Sequence, residues 1–325
     1  MLNFSDCHKI IEAKLSQLGI AGKKPVELYE PISYFLRLGG KRIRPVSSLL
    51  ACNLFSDDVT SAIKPALAIE VFHNFTLVHD DIMDNATLRR NKPTVHAKWN
   101  DNIAILSGDA MQIVAYQLLG DAKPKLLKSL LTIFNTTALE VCEGQQYDMN
   151  FASLDNVSLN DYLHMIELKT SVLLATSLKI GALCGGAPEK EAQKLYEFGR
   201  NLGIAFQIKD DYLDVYADQD LFGKTVGGDI AENKKTFLFL KALELAKGEH
   251  AAILKRAINN EFTNVSEKID MIRKVYNELT IPQITCNKIA EFSEKAFEFL
   301  ADVRVKESRK VNLLEMAQKL INREK

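Results

Sequence analysis

Six aspartates in two groups carry most of the chemistry this sequence offers. The first group lies in Phe75-Thr-Leu-Val-His-Asp80-Asp81-Ile-Met-Asp84 and the second in Phe206-Gln-Ile-Lys-Asp210-Asp211-Tyr-Leu-Asp214. Each is an apolar stretch of helical character that carries three carboxylates in a D-D-x-x-D pattern. Residues four apart share one face of a helix, so Asp80 stands beside Asp84 and Asp210 beside Asp214. Like charges so placed cost about 0.2–0.5 kcal/mol per pair on an isolated helix, and more on a partly buried face. Because this occurs twice, inside the most apolar segments, a cation is expected to balance the charge. With oxygen donors only, and no His or Cys at ligand spacing, that cation is a hard one, Mg²⁺ before Zn²⁺. Mg²⁺ is usually held by one or two carboxylates and completes its shell with water and substrate phosphates. A lone motif reads more readily as a solvated acidic face. Two copies with matched flanks read as a metal–phosphate site.

Basic groups accompany both copies. In Gly39-Gly40-Lys41-Arg42-Ile43-Arg44-Pro45, glycines let the backbone approach an anion, a helix N-terminus adds partial positive charge, and arginine offers a fork for phosphate oxygens. The same stretch also reads as a polar inter-helix loop. Arg89 and Arg90 follow Asp84 by five and six residues, as donors for a metal-bridged diphosphate or as surface partners of Asp81 or Asp84. His73 sits two turns before Asp80, where a lone histidine is otherwise an ordinary core residue. Lys169-Thr170 interrupts an apolar helix, where an unpaired charge would be costly. Gln207 is expected to share the face of Asp210, and Lys224 and Lys234 follow the second cluster. Gly223-Lys224-Thr225 is not a P-loop, because the upstream glycine spacing and the strand are both missing.

Helical periodicity dominates the elements that must position these groups, and strand-like alternation is nearly absent. Helices are expected from Ser5, over about 28–38 ending at Gly39-Gly40, from about Pro45, over about 61–84, 102–119 and 124–148, from Ser158 to Leu183 behind a Ser158/Asp161 capping box, and over 189–217. A glycine-containing loop, 221–229, and four shorter amphipathic helices complete the chain. Both acidic clusters fall near the C-terminal end of their helices. No long polar linker separates the segments, which points to one all-α domain of long helices around a central apolar cavity.

Composition bounds the function. Of 325 residues, 47% are hydrophobic and 26% charged, as in an ordinary globular protein. A net charge of −1 argues against a nucleic-acid partner held by a general basic field. Five scattered cysteines, never in C-x-x-C, read as reduced thiols of a cytoplasmic protein. The N-terminus has no signal-peptide pattern, and the most apolar segment, 171–187, is too short and interrupted to insert stably in a membrane.

Taken together, these motifs resemble the all-trans isoprenyl diphosphate synthases, the polyprenyl synthetase family. The resemblance runs from Gly39-Gly40-Lys41-Arg42 to about Lys235, and it includes Ser107-Gly108-Asp109 and Gly144-Gln145-Gln146-Tyr147-Asp148. It implies the type I isoprenoid synthase fold, a homodimer, and Mg²⁺-dependent head-to-tail condensation of isopentenyl diphosphate with an allylic diphosphate. By resemblance, Asp80, Asp81, Asp84, Asp210, Asp211 and Asp214 hold more than one Mg²⁺ against the allylic diphosphate. Arg89, Lys169, Thr170, Gln207, Lys224 and Lys234 line that site. Gly40, Lys41, Arg44, His73 and Arg90 take the diphosphate of isopentenyl diphosphate.

In the family the growing tail runs down the helix that bears the first motif. Phe75 lies five residues before Asp80, about 7.5 Å lower at 1.5 Å rise per residue. Thr76 beside it is small, and Phe72 adds bulk a turn further down. A ring this close should stop growth at C15 or C20. Thr76, and the two residues between Asp81 and Asp84 where the common bacterial farnesyl diphosphate synthase has four, favour geranylgeranyl diphosphate. A class I terpene cyclase would normally carry an Asn/Ser/Glu-type second motif and would not need a second diphosphate pocket. A non-catalytic subunit of a heteromeric synthase would typically have lost one or both motifs.

Overall fold

The computed structural model describes residues 1–154, 156–217 and 227–323. Lys224, and the part of the expected glycine loop over 221–226, lie outside the described residues. The architecture is all-α, as expected, and two compact units can be described within it. The first comprises Met1–Asn135, Thr176–Tyr196 and Val303–Leu313; the second comprises Thr136–Ala175, Glu197–Asp302 and Leu314–Lys325.

Short polar side chains set the helix starts in the first unit. Asn3 and Asp6 form a capping box for α1 (Phe4–Ser16), each side chain accepting the other's backbone N–H at 3.0 and 3.1 Å. Helix α2 (Val26–Arg37) stops just before Gly39-Gly40. Helix α3 (Ile43–Phe55) starts two residues earlier than expected, with Pro45 inside its first turn. There the missing proline N–H costs nothing, because first-turn amides have no intrahelical partner.

Helix α4 (Thr60–Met83) is the core of this unit. Ala62, Ala66, Leu67, Ile69, Val71 and Phe72 are all buried, so the helix is apolar on every side along most of its length. It packs on α3 and on α6 (Asp101–Gly120), whose start is capped by Asn100 accepting from the Ile103 N–H at 2.9 Å. By length and composition α6 could cross a membrane. Here its face of Ala104, Met111, Ala115 and Leu119 is buried, and it packs against α4 and α2. Between α4 and the short α5 (Val95–Lys98) lies a hairpin with two-residue strands. Its strands β1 (Leu88–Arg89) and β2 (Lys92–Pro93) pair antiparallel. Arg90 and Asn91 at the turn both have positive φ, 53° and 60°, as a type I′ hairpin requires.

Helix α7 (Pro124–Phe151) follows. The Ser158/Asp161 capping box is present, but the single helix expected behind it is not. The segment is divided into α8 (Leu159–Ile166), a π-helical turn (Glu167–Ser171) and α9 (Val172–Cys184). Helix α10 (Glu189–Tyr216) carries the second acidic motif near its end. After the four-residue α11 (Gly228–Ala231) come five helices rather than four: α12 (Phe237–Leu245), α13 (Glu249–Ile258), α14 (Val265–Glu278), α15 (Ile281–Ala301) and α16 (Glu307–Ile321). Gly248, Asn260 and Thr280, each at positive φ, separate them. In the second unit, Leu238, Ile272, Tyr276 and Ile281 anchor one buried cluster, and Tyr162, Ile208, Phe237 and Ile289 another. All five cysteines are free thiols, three of them buried.

Candidate active site

The first unit brings one acidic motif and one basic group into a single neighbourhood. Helix α4 ends at Met83, and Asp84 caps it, its N–H bonding the Asp80 carbonyl at 2.8 Å. Asp80 is half-buried and Asp84 exposed, whereas Asp81 is only 1% exposed. The hairpin turns Arg89 back onto Asp81. Its Nε donates to both carboxylate oxygens, at 2.8 and 2.9 Å, and Nη2 lies 2.7 Å from Oδ1. Burial still holds the Asp81 carboxyl above its ordinary range, against the pull of Arg89. Arg89 is therefore the charge partner of Asp81 in this arrangement.

At the start of α3, Gly39, Gly40 and Arg42 all have positive φ, which bends the loop tightly between two helices. Arg90 Nη1 donates to the Gly39 carbonyl, and a Cβ on Gly40 would lie 3.0 Å from the Arg90 guanidinium. Lys41 is exposed. Arg44 reaches α4, where its Nη1 lies 3.0 Å from His73 Nε2. His73 titrates well below the usual histidine range, chiefly through burial and then through the charges of Arg44, Arg90, Arg89 and Arg42. The ring is thus neutral, and Nε2 accepts from Arg44. The buried Nε of Arg44 has no hydrogen-bond partner among the described residues. Arginines crowded around a neutral histidine make a pocket suited to an anion with several oxygens.

Below the motif, Phe75 (9% exposed) packs edge-on against His79 at 4.8 Å between ring centroids and against Phe72 at 5.5 Å. Phe72 in turn meets Phe134 at 5.2 Å. The Thr76 hydroxyl is turned to the His73 carbonyl at 2.9 Å.

The second unit assembles its motif differently. Asp211 is buried and accepts from the Tyr162 hydroxyl at 2.5 Å and from Gln207 Nε2 at 3.1 Å. Gln207 therefore serves Asp211, four residues on, rather than Asp210. Its Oε1 accepts from the Thr170 hydroxyl at 3.2 Å, which ties the π-helical turn to the motif. Asp214 Oδ2 accepts the Asp229 N–H at 2.9 Å. Burial, then neighbouring carboxylates, raise the titration of both Asp211 and Asp229. This is the electrostatic signature of a site short of positive charge. Arg323, near the C-terminus, pairs with Asp210 and lies over the Phe206 ring at 3.9 Å. Lys234 reaches Asp229 at 3.4 Å and Glu232 at 3.1 Å.

Lys169 pairs with Asp148 of α7. The π turn that carries Lys169 lies directly on Gly144, one helical turn before Asp148. A Cβ at Gly144 would collide with the backbone of Leu168 and Lys169. The Gly144–Asp148 motif is thus explained by contact: the glycine admits the widened turn and the aspartate receives its lysine. π-turns inside α-helices recur at functional sites.

Tyr162, Asp229, Arg323 and the Arg42–Glu70 pair were not singled out from sequence. Glu70 carried the same signal as Lys169, a charge inside an apolar helix. Tyr162 and Arg323 carried none. The donor chemistry fits a hard cation, since both motifs offer carboxylate oxygens. Among the described residues no three His, Cys, Asp or Glu side chains form a ready-made metal cage. This donor set suits a cation held by one or two carboxylates together with water and phosphate oxygens.

Helical architecture, paired acidic motifs and adjoining anion pockets define a class of enzymes that handle diphosphates with a cation. Comparison with known proteins narrows this. The Polyprenyl synthetase family profile matches residues 25–278. The geranylgeranyl diphosphate synthase of Methanosarcina mazei is 41% identical over 236 residues, 72% of each chain. A crystal structure of geranylgeranyl pyrophosphate synthase superposes with a TM-score of 0.94 at 41% identity, covering 99% of each chain. The polyprenyl synthase of Caulobacter crescentus, complexed with calcium and isoprenyl diphosphate, gives 0.87 at 27% identity, covering 99% of this chain and 97% of that one. The chain belongs to the polyprenyl synthetase family and is, on that membership, a prenyltransferase.

Proposed function

We propose that this enzyme condenses isopentenyl diphosphate with allylic diphosphates, head to tail, to give a short all-trans prenyl diphosphate of C15–C20, with geranylgeranyl diphosphate favoured, and free diphosphate. The observation that carries this reading is the repeated motif. Each D-D-x-x-D closes a long helix beside groups suited to phosphate oxygens, with Arg44, His73 and Arg90 in one unit and Lys169, Thr170 and Gln207 in the other. Relatives named geranylgeranyl diphosphate synthase support the product length.

In this reading Lys169, Thr170 and Gln207, with Arg89, Lys224 and Lys234, bind the allylic diphosphate. Gly40, Lys41, Arg44, His73 and Arg90 bind isopentenyl diphosphate. Asp80, Asp81, Asp84, Asp210, Asp211 and Asp214 would hold Mg²⁺, which when bound would supply Lewis-acid stabilisation of the departing diphosphate. Cleavage of the allylic C–O bond leaves a carbocation, and the C=C of isopentenyl diphosphate attacks it. The cationic side chains stabilise charge on the leaving group. No side-chain nucleophile is required, and the released diphosphate takes the proton lost from the carbon beside the new cation of the isopentenyl unit, which restores a C=C bond. Phe72, Phe75 and Thr76 line the tail and end its growth. We place the protein in the cytoplasm, consistent with five free thiols. We further propose a homodimer, supported by the exposed apolar stripe of Leu106 and Ile113 on α6, each 59% exposed.

The test is product analysis by mass spectrometry. Purified protein is given isopentenyl diphosphate with C5, C10 or C15 primers, in Mg²⁺ or in chelator. The reading expects a C20 product in Mg²⁺ alone. A cyclic hydrocarbon, or no elongation from any primer, contradicts it.

A further inference from the structure

Arg42 sits between two residues assigned to substrate binding, yet its side chain cannot reach a substrate. Its guanidinium is fully enclosed, with the residue 3% exposed. All three of its nitrogens are engaged at 2.7 Å: Nη1 with Glu70 Oε1 on α4, Nε with Glu12 Oε1 on α1, and Nη2 with the Leu36 carbonyl on α2. Glu70 is itself only 2% exposed, and it also accepts from Asn74 Nδ2 at 2.9 Å. One buried guanidinium thus ties three helices to the point where the basic loop enters α3.

The backbone of Arg42 is equally unusual. Its φ of +48° lies in the left-handed region, which disfavours any residue with a Cβ, and no side chain caps the helix that follows. Such a conformation persists only where the surroundings impose it. Here the imposed bend lies between Lys41 and Arg44. At the other end of the pair, Glu70 grips Asn74, the residue after His73. The pair therefore controls both walls of the pocket in which Arg44 meets His73.

We propose that Arg42, through Glu70, is a positioning residue for isopentenyl diphosphate. It binds no substrate, but it fixes the loop that carries Lys41 and Arg44 against the turn of α4 that carries His73. The inference rests on the reading that Lys41, Arg44, His73 and Arg90 form the pocket for that diphosphate. A buried pair could instead be a purely structural device, and an experiment separates the two roles. Replacing both partners by apolar residues of similar size, Arg42→Met with Glu70→Leu, removes the buried charges together and is tolerated by many folds. Removing one partner alone strands the other.

Thermal unfolding, the KM for each substrate, and calorimetric binding of isopentenyl diphosphate are measured in this double variant and in Arg42→Lys and Arg44→Ala. The double variant should unfold near the native temperature, with KM and dissociation constant for isopentenyl diphosphate raised about tenfold or more. Its KM for the allylic substrate should stay within about twofold of native. Arg42→Lys retains the charge but not the fork, and should show the same selective rise at about threefold. If the double variant does not fold, Arg42→Lys decides alone. A native KM for isopentenyl diphosphate in a folded Arg42 variant, beside a raised one in Arg44→Ala, overturns the positioning role. A native KM in Arg44→Ala overturns the pocket assignment, and the positioning role with it. An equal rise for both substrates in the Arg42 variants also overturns it, because the effect would then be general.

Discussion

Gly144→Ala isolates the contact between α7 and the π turn that carries Lys169. A methyl group at position 144 would press hardest on the Lys169 amide nitrogen, and would stand 2.7 Å from Lys169 Cα and 2.8 Å from the Leu168 carbonyl carbon. These are backbone atoms with no rotamer to escape into, so one segment must move. Reaching ordinary contact at 3.4 Å with the Lys169 amide nitrogen requires the segments to part by about 1 Å. Overpacking of this kind costs about 1–3 kcal/mol of stability. Lys169 and Thr170 ride on the displaced turn, and a misplacement near 1 Å can cost on the order of 10²-fold in rate. We therefore expect kcat/KM for the allylic substrate to fall roughly 10- to 100-fold, with the KM for isopentenyl diphosphate unchanged. Steady-state kinetics with each substrate varied in turn, alongside thermal unfolding, reads both quantities. Native stability together with native allylic kcat/KM would refute the close contact. Equal losses for both substrates would refute the assignment of Lys169 to the allylic side.

Three further perturbations probe other parts of the account. Phe75→Ala removes the ring about 7.5 Å below Asp80 and should lengthen the product by at least one C5 unit; an unchanged product distribution in mass spectrometry removes Phe75 as the floor. His73 is held neutral by burial and by surrounding arginines, so its folded pKa lies below its unfolded value. The unfolded chain then binds more protons, and native stability declines as pH falls below about 6.5, by up to roughly 1 kcal/mol between pH 7 and 5.5. His73→Gln should lose this component in denaturant melts at the two pH values, and an identical pH dependence would contradict it. Leu106→Glu with Ile113→Glu should convert a dimer to a monomer in sedimentation; a native association state in the variant excludes that stripe as the interface.

Much of the fold was legible because caps and apolar periodicity act locally. Ser158 with Asp161, and Gly39-Gly40, mark helix ends through hydrogen bonds and φ values that involve only near neighbours. The π turn at 167–171 was not legible, since its close contact with Gly144 of α7 is made across a long sequence separation. The β1–β2 hairpin was missed because two-residue strands leave no alternation to read. The acidic motifs and Lys169 were found because charge in an apolar helix demands a partner. Which partner was another matter: Asp148 for Lys169 and Arg323 for Asp210 are set by tertiary approach across tens of residues, while Gln207 takes Asp211 rather than Asp210 within its own helix. Arg42 was seen in sequence as one more cation of a basic loop. Only its buried side chain and left-handed backbone distinguish it from Lys41 and Arg44.

The account rests most heavily on both acidic motifs serving a single condensation. The direct test is the rate of product formation in Asp84→Asn and Asp210→Asn, assayed separately with saturating substrates and Mg²⁺ after circular dichroism has verified the fold. The account predicts that each substitution lowers the rate on the order of 10²- to 10³-fold. A near-native rate in either variant would contradict it, leaving that motif an acidic surface with no part in the reaction.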